Sequence, residues 1–562
     1  MRTAVLSVFV LASSFLPACS GEAFVGDDES EGQRADASAP TLEVTEPARA
    51  TFAESEAVVV RGFAEASGGL AEVTVNGEPA ELSDDGSFSL TLELPETITL
   101  LETVAVDEHG AETVDARAVL AGTLVEQETP VSESMAVHLS DGAMSGLGDM
   151  VSSFANETDW DALARSLNPV AGAGDGCNEY RANIHSVSHG AIEVSARAAS
   201  GGIRVALRIR NLRVDGQVSW RAVCLDGSTT FTLTADAYDM SALVAPGFIR
   251  GVLDVTLDDV SSQFHGFRLS ASGIPDFVED TFQSQARDRL ANMARAWVGD
   301  EVPPLAREFL AEFADNELAF DVLGETIHVG ARPTAVDFTE RGGTIVLESS
   351  AHVPGLQGGV YLASPRSRPN PGSTERDIEM AVSADAINQV LAAIWHSGAL
   401  EDALLPDEAS AIGVIIGADV ARTTASMLLP PVVTFDAENE LSRLVLGDVV
   451  VDAFGPDDDK LVSFAISAEI EIQAGARSDG GLRLRTGASR VVAQVLERGP
   501  NVRADGPALR SLAEMLIPQV GAQVQSLFDV LVIPGLPGGE IRSPTFSPRD
   551  GYLVAGGEIS FE

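Results

Sequence analysis

Few side chains in this 562-residue chain stand at spacings that do chemistry. Beyond an N-terminal Cys19, the only thiols are Cys177 and Cys224. In an oxidising compartment two such thiols close a disulfide. His185 and His189 lie four residues apart and would share one face of a strand, as two metal ligands do. No third ligand stands near them, so no metal is expected. Asp457, Asp458 and Asp459 precede Lys460, the one lysine of the chain, and read as a solvated hairpin tip. Arg204, Arg208 and Arg210 occupy even positions, with Val205, Leu207 and Ile209 between them. On a strand this makes a buried odd face and a cationic even face. Residues 177–224 hold seven arginines against Glu179, Glu193 and Asp215. That face either meets an anionic group or is a solvated sheet paired with acids from elsewhere. There is no G-x-S-x-G elbow, P-loop, H-E-x-x-H or C-x-x-C, so neither catalysis nor a cofactor is expected.

The remaining reactive group is Cys19 itself. Met1-Arg2 supplies a short positive region, and residues 4–16 are almost wholly apolar or small. This run is too short for a comfortable transmembrane helix and fits an export signal. It ends in Leu16-Pro17-Ala18-Cys19. That ending resembles the lipobox of bacterial lipoproteins, with an unusual proline at −2. The resemblance implies cleavage after Ala18, a diacylglycerol on the Cys19 thiol and membrane attachment through that lipid. The alternative is an ordinary secretory signal with a chance cysteine. Ser20 at +2 is similar to an outer-membrane sorting signal, so a lipid-anchored place in the cell envelope is expected.

Composition bounds the rest. Apolar residues make up 45% of the chain, enough for large cores. The 84 acidic and 36 basic residues leave a net charge of −48, which disfavours nucleic acid as a partner. No later run is long and charge-free enough to span a bilayer as a helix. Residues 19–40, acidic and poor in apolar side chains, read as a tether.

Residues 41–122 alternate apolar and polar residues in short runs separated by Asn76-Gly77, Asp85-Gly86 and Asp107–Gly110, the pattern of an all-β sandwich. Val73-Thr-Val-Asn-Gly77, Asp85-Gly-Ser-Phe88 and Val104-Ala-Val-Asp107 resemble bacterial Ig-like repeats, which implies a spacer or adhesive module. Asp84, Asp85 and Asp107 read as turn aspartates rather than calcium ligands.

The element order of residues 130–562 occurs twice: amphipathic helix, antiparallel strands, long helix, closing strands. In the first copy, 130–362, the opening helix is expected over Met135–Phe154, with Leu139, Leu147, Met150 and Phe154 on its apolar side. A long helix is expected from Asp276 to about Val298, interrupted at Pro303-Pro304. In the second copy, 375–562, Ala384–Trp395 is the opening helix, with Ile387, Leu391, Ile394 and Trp395 apolar. A long helix is expected over Pro507–Phe528. The doubling predicts an α+β chain of two related domains.

Residues 380–400, Met-Ala-Val-Ser-Ala-Asp-Ala-Ile-Asn-Gln-Val-Leu-Ala-Ala-Ile-Trp-His-Ser-Gly-Ala-Leu, resemble the start of the C-terminal barrel of the bactericidal/permeability-increasing and lipopolysaccharide-binding proteins. Ile533-Pro-Gly-Leu-Pro537 and Asp550-Gly-Tyr-Leu-Val554 are similar to that family's ending. The resemblance implies two tubular lipid-binding barrels, each an antiparallel sheet rolled around a long helix, joined through a central sheet. It also implies apolar grooves for the acyl chains of a phospholipid or fatty acid. The apolar positions named above would line these grooves, and Arg204, Arg208 and Arg210 would meet an anionic headgroup. The family's Lys/Arg-rich barrel tip has no equivalent in this acidic chain. A structural or adhesive lipoprotein with self-filled barrels is the rival expectation.

Overall fold

The computed structural model describes residues 39–561 except 55–56, 167, 250–251, 275, 312–315, 365–367, 373–375, 405–408, 437–440, 478–481, 501 and 503–538. Cys19, the tether up to residue 38 and the helix expected over Pro507–Phe528 lie outside the described residues. The described part is predominantly β.

Alternation builds the N-terminal domain. In the strand Ala57–Glu65, Val58, Val60, Gly62 and Ala64 point inward and the intervening positions are more exposed. A four-stranded and a five-stranded sheet result, with Val60, Val75, Phe88 and Leu101 in the core between them. The turn aspartates cap their own turns. Asp85 accepts from the Ser87 hydroxyl and amide, and Asp107 accepts from the amides of Ala111 and His109. These bonds favour the ionised forms and hold both carboxyls below the usual aspartate range.

A seven-stranded sheet forms the seam of the larger region. Its two middle strands, Val131–Ser140 and Ile378–Ser383, run antiparallel with Val137 opposite Met380. Outside them lie Gly342–His352 on one side and Tyr552–Phe561 on the other. Glu325–Thr339 and Gly539–Arg549 follow in the next positions. Two strands thus flank the central pair on each side, and Asn316–Val322 extends the sheet at one edge only. Each middle strand ends in a serine cap. Ser140 accepts from the Ala143 amide and Ser383 from the Ala386 amide, starting the helices Asp141–Glu157 and Ala384–His396.

This corrects the opening helix of the first copy. Met135–Ser140 is strand, and the helix starts at Asp141. Met, Ala and Leu favour helix locally, but here they lie in a strand covered on both faces, and such strands lose their alternation. Ala136 and Val137, adjacent in that strand and therefore on opposite faces, are both buried.

Beyond the seam, the first of two antiparallel half-barrel sheets contains the long strands Gly202–Ala222 and Leu225–Ile249. Its inner face packs Phe231, Leu233, Val214 and Val218 against Phe282, Ala286 and Leu290 of the helix Asp276–Ala311. That helix runs continuously through Pro303 and Pro304, where the sequence predicts a break. The helix Asp141–Glu157 seals an open edge. Asp141 accepts from the Ala198 amide. Ser152 accepts from the Val194 amide and donates to its carbonyl. Asn156 does the same for Ile192. An otherwise unpaired edge is thereby satisfied by side chains. Gly148 permits the approach, since a Cβ there would lie 2.7 Å from the Ala196 nitrogen.

The second outer sheet pairs Leu441–Phe454, Lys460–Ala476 and Leu482–Arg498, with Arg422–Met427 and Val432–Asp436 on the first of these. A bulge between Leu446 and Val449 turns Asp448 out of the ladder with φ of 47°. The Asp448 carboxylate is fully buried against the N-terminal domain, where it pairs with Arg49 and accepts from the amides of Ala118 and Ala50. Around it Ile98, Leu100, Ala118 and Leu120 pack on Leu429, Val432, Val445 and Val492. The β domain is therefore docked on the second barrel, an arrangement that differs from a free spacer.

Candidate functional site

The candidate apolar site lies between the first sheet and its helices. Long inward-facing strands supply Val187, Ile209, Val214 and Tyr238, and Trp160 and Leu290 close over them from two helices. Together with Leu212, Phe264 and His189 they line an apolar cavity. About 20 Å³ of it is open to the centre of a water-sized sphere. That space takes one water, and a methylene chain enters only by displacing side chains. Trp160 is fixed by its indole N–H, which donates to the Ala155 carbonyl. Burial pushes the Tyr238 and Tyr180 phenols above their ordinary pKa, so both stay neutral.

The predicted apolar positions separate. Leu139 lies on the seam strand, buried in the main core, and not on a helix. Phe154 is half exposed on the helix Asp141–Glu157. Leu147 and Met150 fall within that helix, but their side chains lie outside the described residues. Ile387, Leu391 and Ile394 do share one helix face. All three are buried in the core that joins the seam to the second sheet, beside Met427, Leu444 and Phe464. Trp395 packs at the border of that core, donates to the Met427 carbonyl at 2.6 Å and faces Phe52 of the N-terminal domain at 6.4 Å between ring centres.

The arginines stand where the alternation puts them, on the outer face opposite Leu207 and Ile209. Each meets a carboxylate: Arg204 with Asp259, Arg208 with Asp239 and Arg210 with Glu193, at 3.0–3.2 Å. Arg213 and Arg221 are paired as well, with Asp215 and with Glu179 and Asp226. The cationic surplus of residues 177–224 is thus offset by acids from Leu225–Ile249 and Val252–His265. This face and the apolar cavity lie on opposite sides of one sheet.

Cys177 and Cys224 form a disulfide across 47 residues. It ties two hairpin turns at the end of the first barrel remote from the seam. His189 lines the cavity edge-on to Trp160, and no metal-ligand cluster occurs among the described residues. The aspartate run is a hairpin tip: Asp458 pairs with Arg422, while Lys460 pairs with Asp452 and Glu497. The functional feature that sequence reasoning missed is the Asp448 bulge, whose only sequence sign is Gly447-Asp448 inside an apolar strand.

Among known proteins, residues 40–122 match the family model described as glucodextranase, domain B. A crystal structure of lipopolysaccharide binding protein is similar at 13% identity, covering 77% of this chain and 100% of that one, with a TM-score of 0.43. A structure of a tetra-tandem repeat from the extending region of a large adhesion protein aligns at 11% identity, covering 82% of this chain and 100% of that one, with a TM-score of 0.14. Neither likeness is close enough to assign a function. No curated protein matches the chain.

Proposed function

We propose that the protein is an exported, lipid-anchored lipid-binding protein that holds acyl chains between the sheet and helices of its barrels, without catalysis. The observation that carries this reading is the apolar cavity under Trp160 and Leu290, closed by helices that pack on the sheet through side chains. Each buried methylene contributes about 0.8 kcal/mol, so a chain of about a dozen carbons that displaced these side chains would need no charged contact to be held. Attachment through Cys19 in the outer part of a bacterial envelope belongs to the same proposal and rests on the lipobox resemblance. A second reading, a structural or adhesive lipoprotein with self-filled barrels, is favoured by the small open volume and by the burial of Ile387, Leu391 and Ile394 in ordinary core.

Native mass spectrometry of the purified protein, followed by loading of delipidated protein with a fluorescent fatty acid, separates the two. Co-purifying lipid, and saturable binding that survives high salt, support carriage. Val187→Phe, which fills the cavity at its rim, should weaken that binding while preserving the fold. Absence of saturable binding to any fatty acid or phospholipid tested leaves the self-filled reading.

A further inference from the structure

The outer face of the first barrel carries a second concavity, separate from the apolar cavity and larger, with about 630 Å³ of open space. Register explains its shape. Ser195, Ala206, Ser241 and Ser261 stand in one row across four paired strands, and all are small. The neighbouring row is Glu193, Arg208, Asp239 and Gln263, and all are long or charged. A row of short side chains beside a row of long ones makes a trench that crosses the strands. Four strands at about 4.8 Å spacing give it a length of roughly 15 Å.

We propose that this trench binds a neutral polyhydroxylated chain, an oligosaccharide of a few sugar units. Its floor offers hydroxyls, with the Ser241 and Ser261 oxygens 2.9 Å apart. Its wall offers planar groups that donate and accept in pairs: the Arg208 guanidinium, the Gln263 amide, and the Asp239 carboxylate held between Arg208 and His265 at 3.2 and 3.0 Å. Such groups match vicinal hydroxyls. Charge points the same way. Arg208 and Arg210 are balanced by Asp239 and Glu193, and on the other side of the row of small residues Arg197 and Arg204 are balanced by Asp141 and Asp259. In a chain of net charge −48 this face is locally neutral, which selects for an uncharged ligand. A peptide added as a strand is disfavoured, because the strands forming the trench are already paired across it.

The test is calorimetric titration of the full-length protein with cellohexaose, maltohexaose, chitohexaose and mannohexaose, with phosphorylcholine and a Ser/Gly hexapeptide in parallel. At least one hexasaccharide should bind saturably. Ala206→Trp, which fills the floor, and Asp239→Ala, which removes the wall's shared acceptor, should each weaken it by roughly ten-fold, an effect the size of one good charge-assisted hydrogen bond. The melting temperature serves as the folding control. If Ala206→Trp unfolds the protein, Ser241→Gln blocks the same row. The proposal is overturned if none of the four sugars binds or if the substitutions leave binding unchanged. Tighter binding of phosphorylcholine or the peptide, lost in Ala206→Trp, also overturns it.

Discussion

Removing the Arg49 charge tests whether the N-terminal domain and the second barrel are one unit. In Arg49→Met the Asp448 carboxylate loses its counter-ion while remaining buried. Removing one partner of a buried pair costs about 3–5 kcal/mol. Two features place this case near the lower bound. Asp448 keeps the amides of Ala118 at 2.9 Å and Ala50 at 3.2 Å. Burial, only partly opposed by Arg49, already raises its pKa, so protonation caps the penalty. The expected loss is therefore about 3 kcal/mol, or a fall of roughly 6 °C in melting temperature at about 2 °C per kcal/mol. Hydrogen exchange followed by mass spectrometry should show faster exchange in peptides spanning Ala50 and Ala118, with little change in the first barrel. The double variant Arg49→Met with Asp448→Asn should recover part of the loss, because the Asn amide oxygen still accepts from the Ala118 and Ala50 amides and needs no counter-charge. A single variant within about 0.5 kcal/mol of wild type, the range of ordinary surface changes, would show that the two bodies are not energetically coupled through this pair.

Cys19→Ser should move the protein out of the membrane fraction, and firm retention there would remove the lipoprotein proposal. Replacing both Cys177 and Cys224 with Ser should cost about 4 kcal/mol on the chain-entropy account of a loop this long, read from urea denaturation; an unchanged midpoint contradicts it. Gly447→Val places a Cβ within 2.8–2.9 Å of Ala118, Ile98 and Leu429, so about 1–3 kcal/mol of overpacking should appear as exposure of the docking face to protease. The pH responses run in opposite directions. Asp448 has a raised folded pKa, so its contribution is full below the unfolded value and is lost as pH rises through the folded one. The urea midpoint of wild type should accordingly gain on that of Asp448→Asn as pH falls from about 7 towards 4, and the opposite trend reverses the sign. Asp85, Asp107 and Asp215 have lowered pKa values, so their contributions are present above the unfolded value and lost as pH falls through the folded ones.

Local patterns carried much of the architecture. Alternation located the strands of the N-terminal domain, and the Arg204–Arg210 run showed its two faces without any tertiary knowledge. The apolar spacing of Ile387, Leu391 and Ile394 located the helix Ala384–His396. What stayed hidden was whatever depends on a neighbour distant in sequence. Met135–Ser140 reads as helix until its partners, more than 200 residues away, are known. The arginines read as a cationic face because Asp239 and Asp259 approach from later strands. The docking of the N-terminal domain rests on Arg49 and Asp448, which share no local signal. The division of apolar residues between core and cavity is equally non-local, so a helix stripe alone did not identify lining residues.

The seam strands also set the order in which this chain can finish folding. Val131–Ser140 pairs with Gly342–His352 and with Ile378–Ser383, and the latter pairs with Tyr552–Phe561 near the far end of the chain. Until those late strands exist, the first half presents an unpaired and largely apolar edge. Every residue of Ile378–Ser383 is buried in the finished sheet. Contacts this distant form slowly, and such edges recruit other chains while they wait. Chains truncated before Tyr552–Phe561 should therefore aggregate more than the full chain, because Ile378–Ser383 then lacks the strand that covers one of its edges.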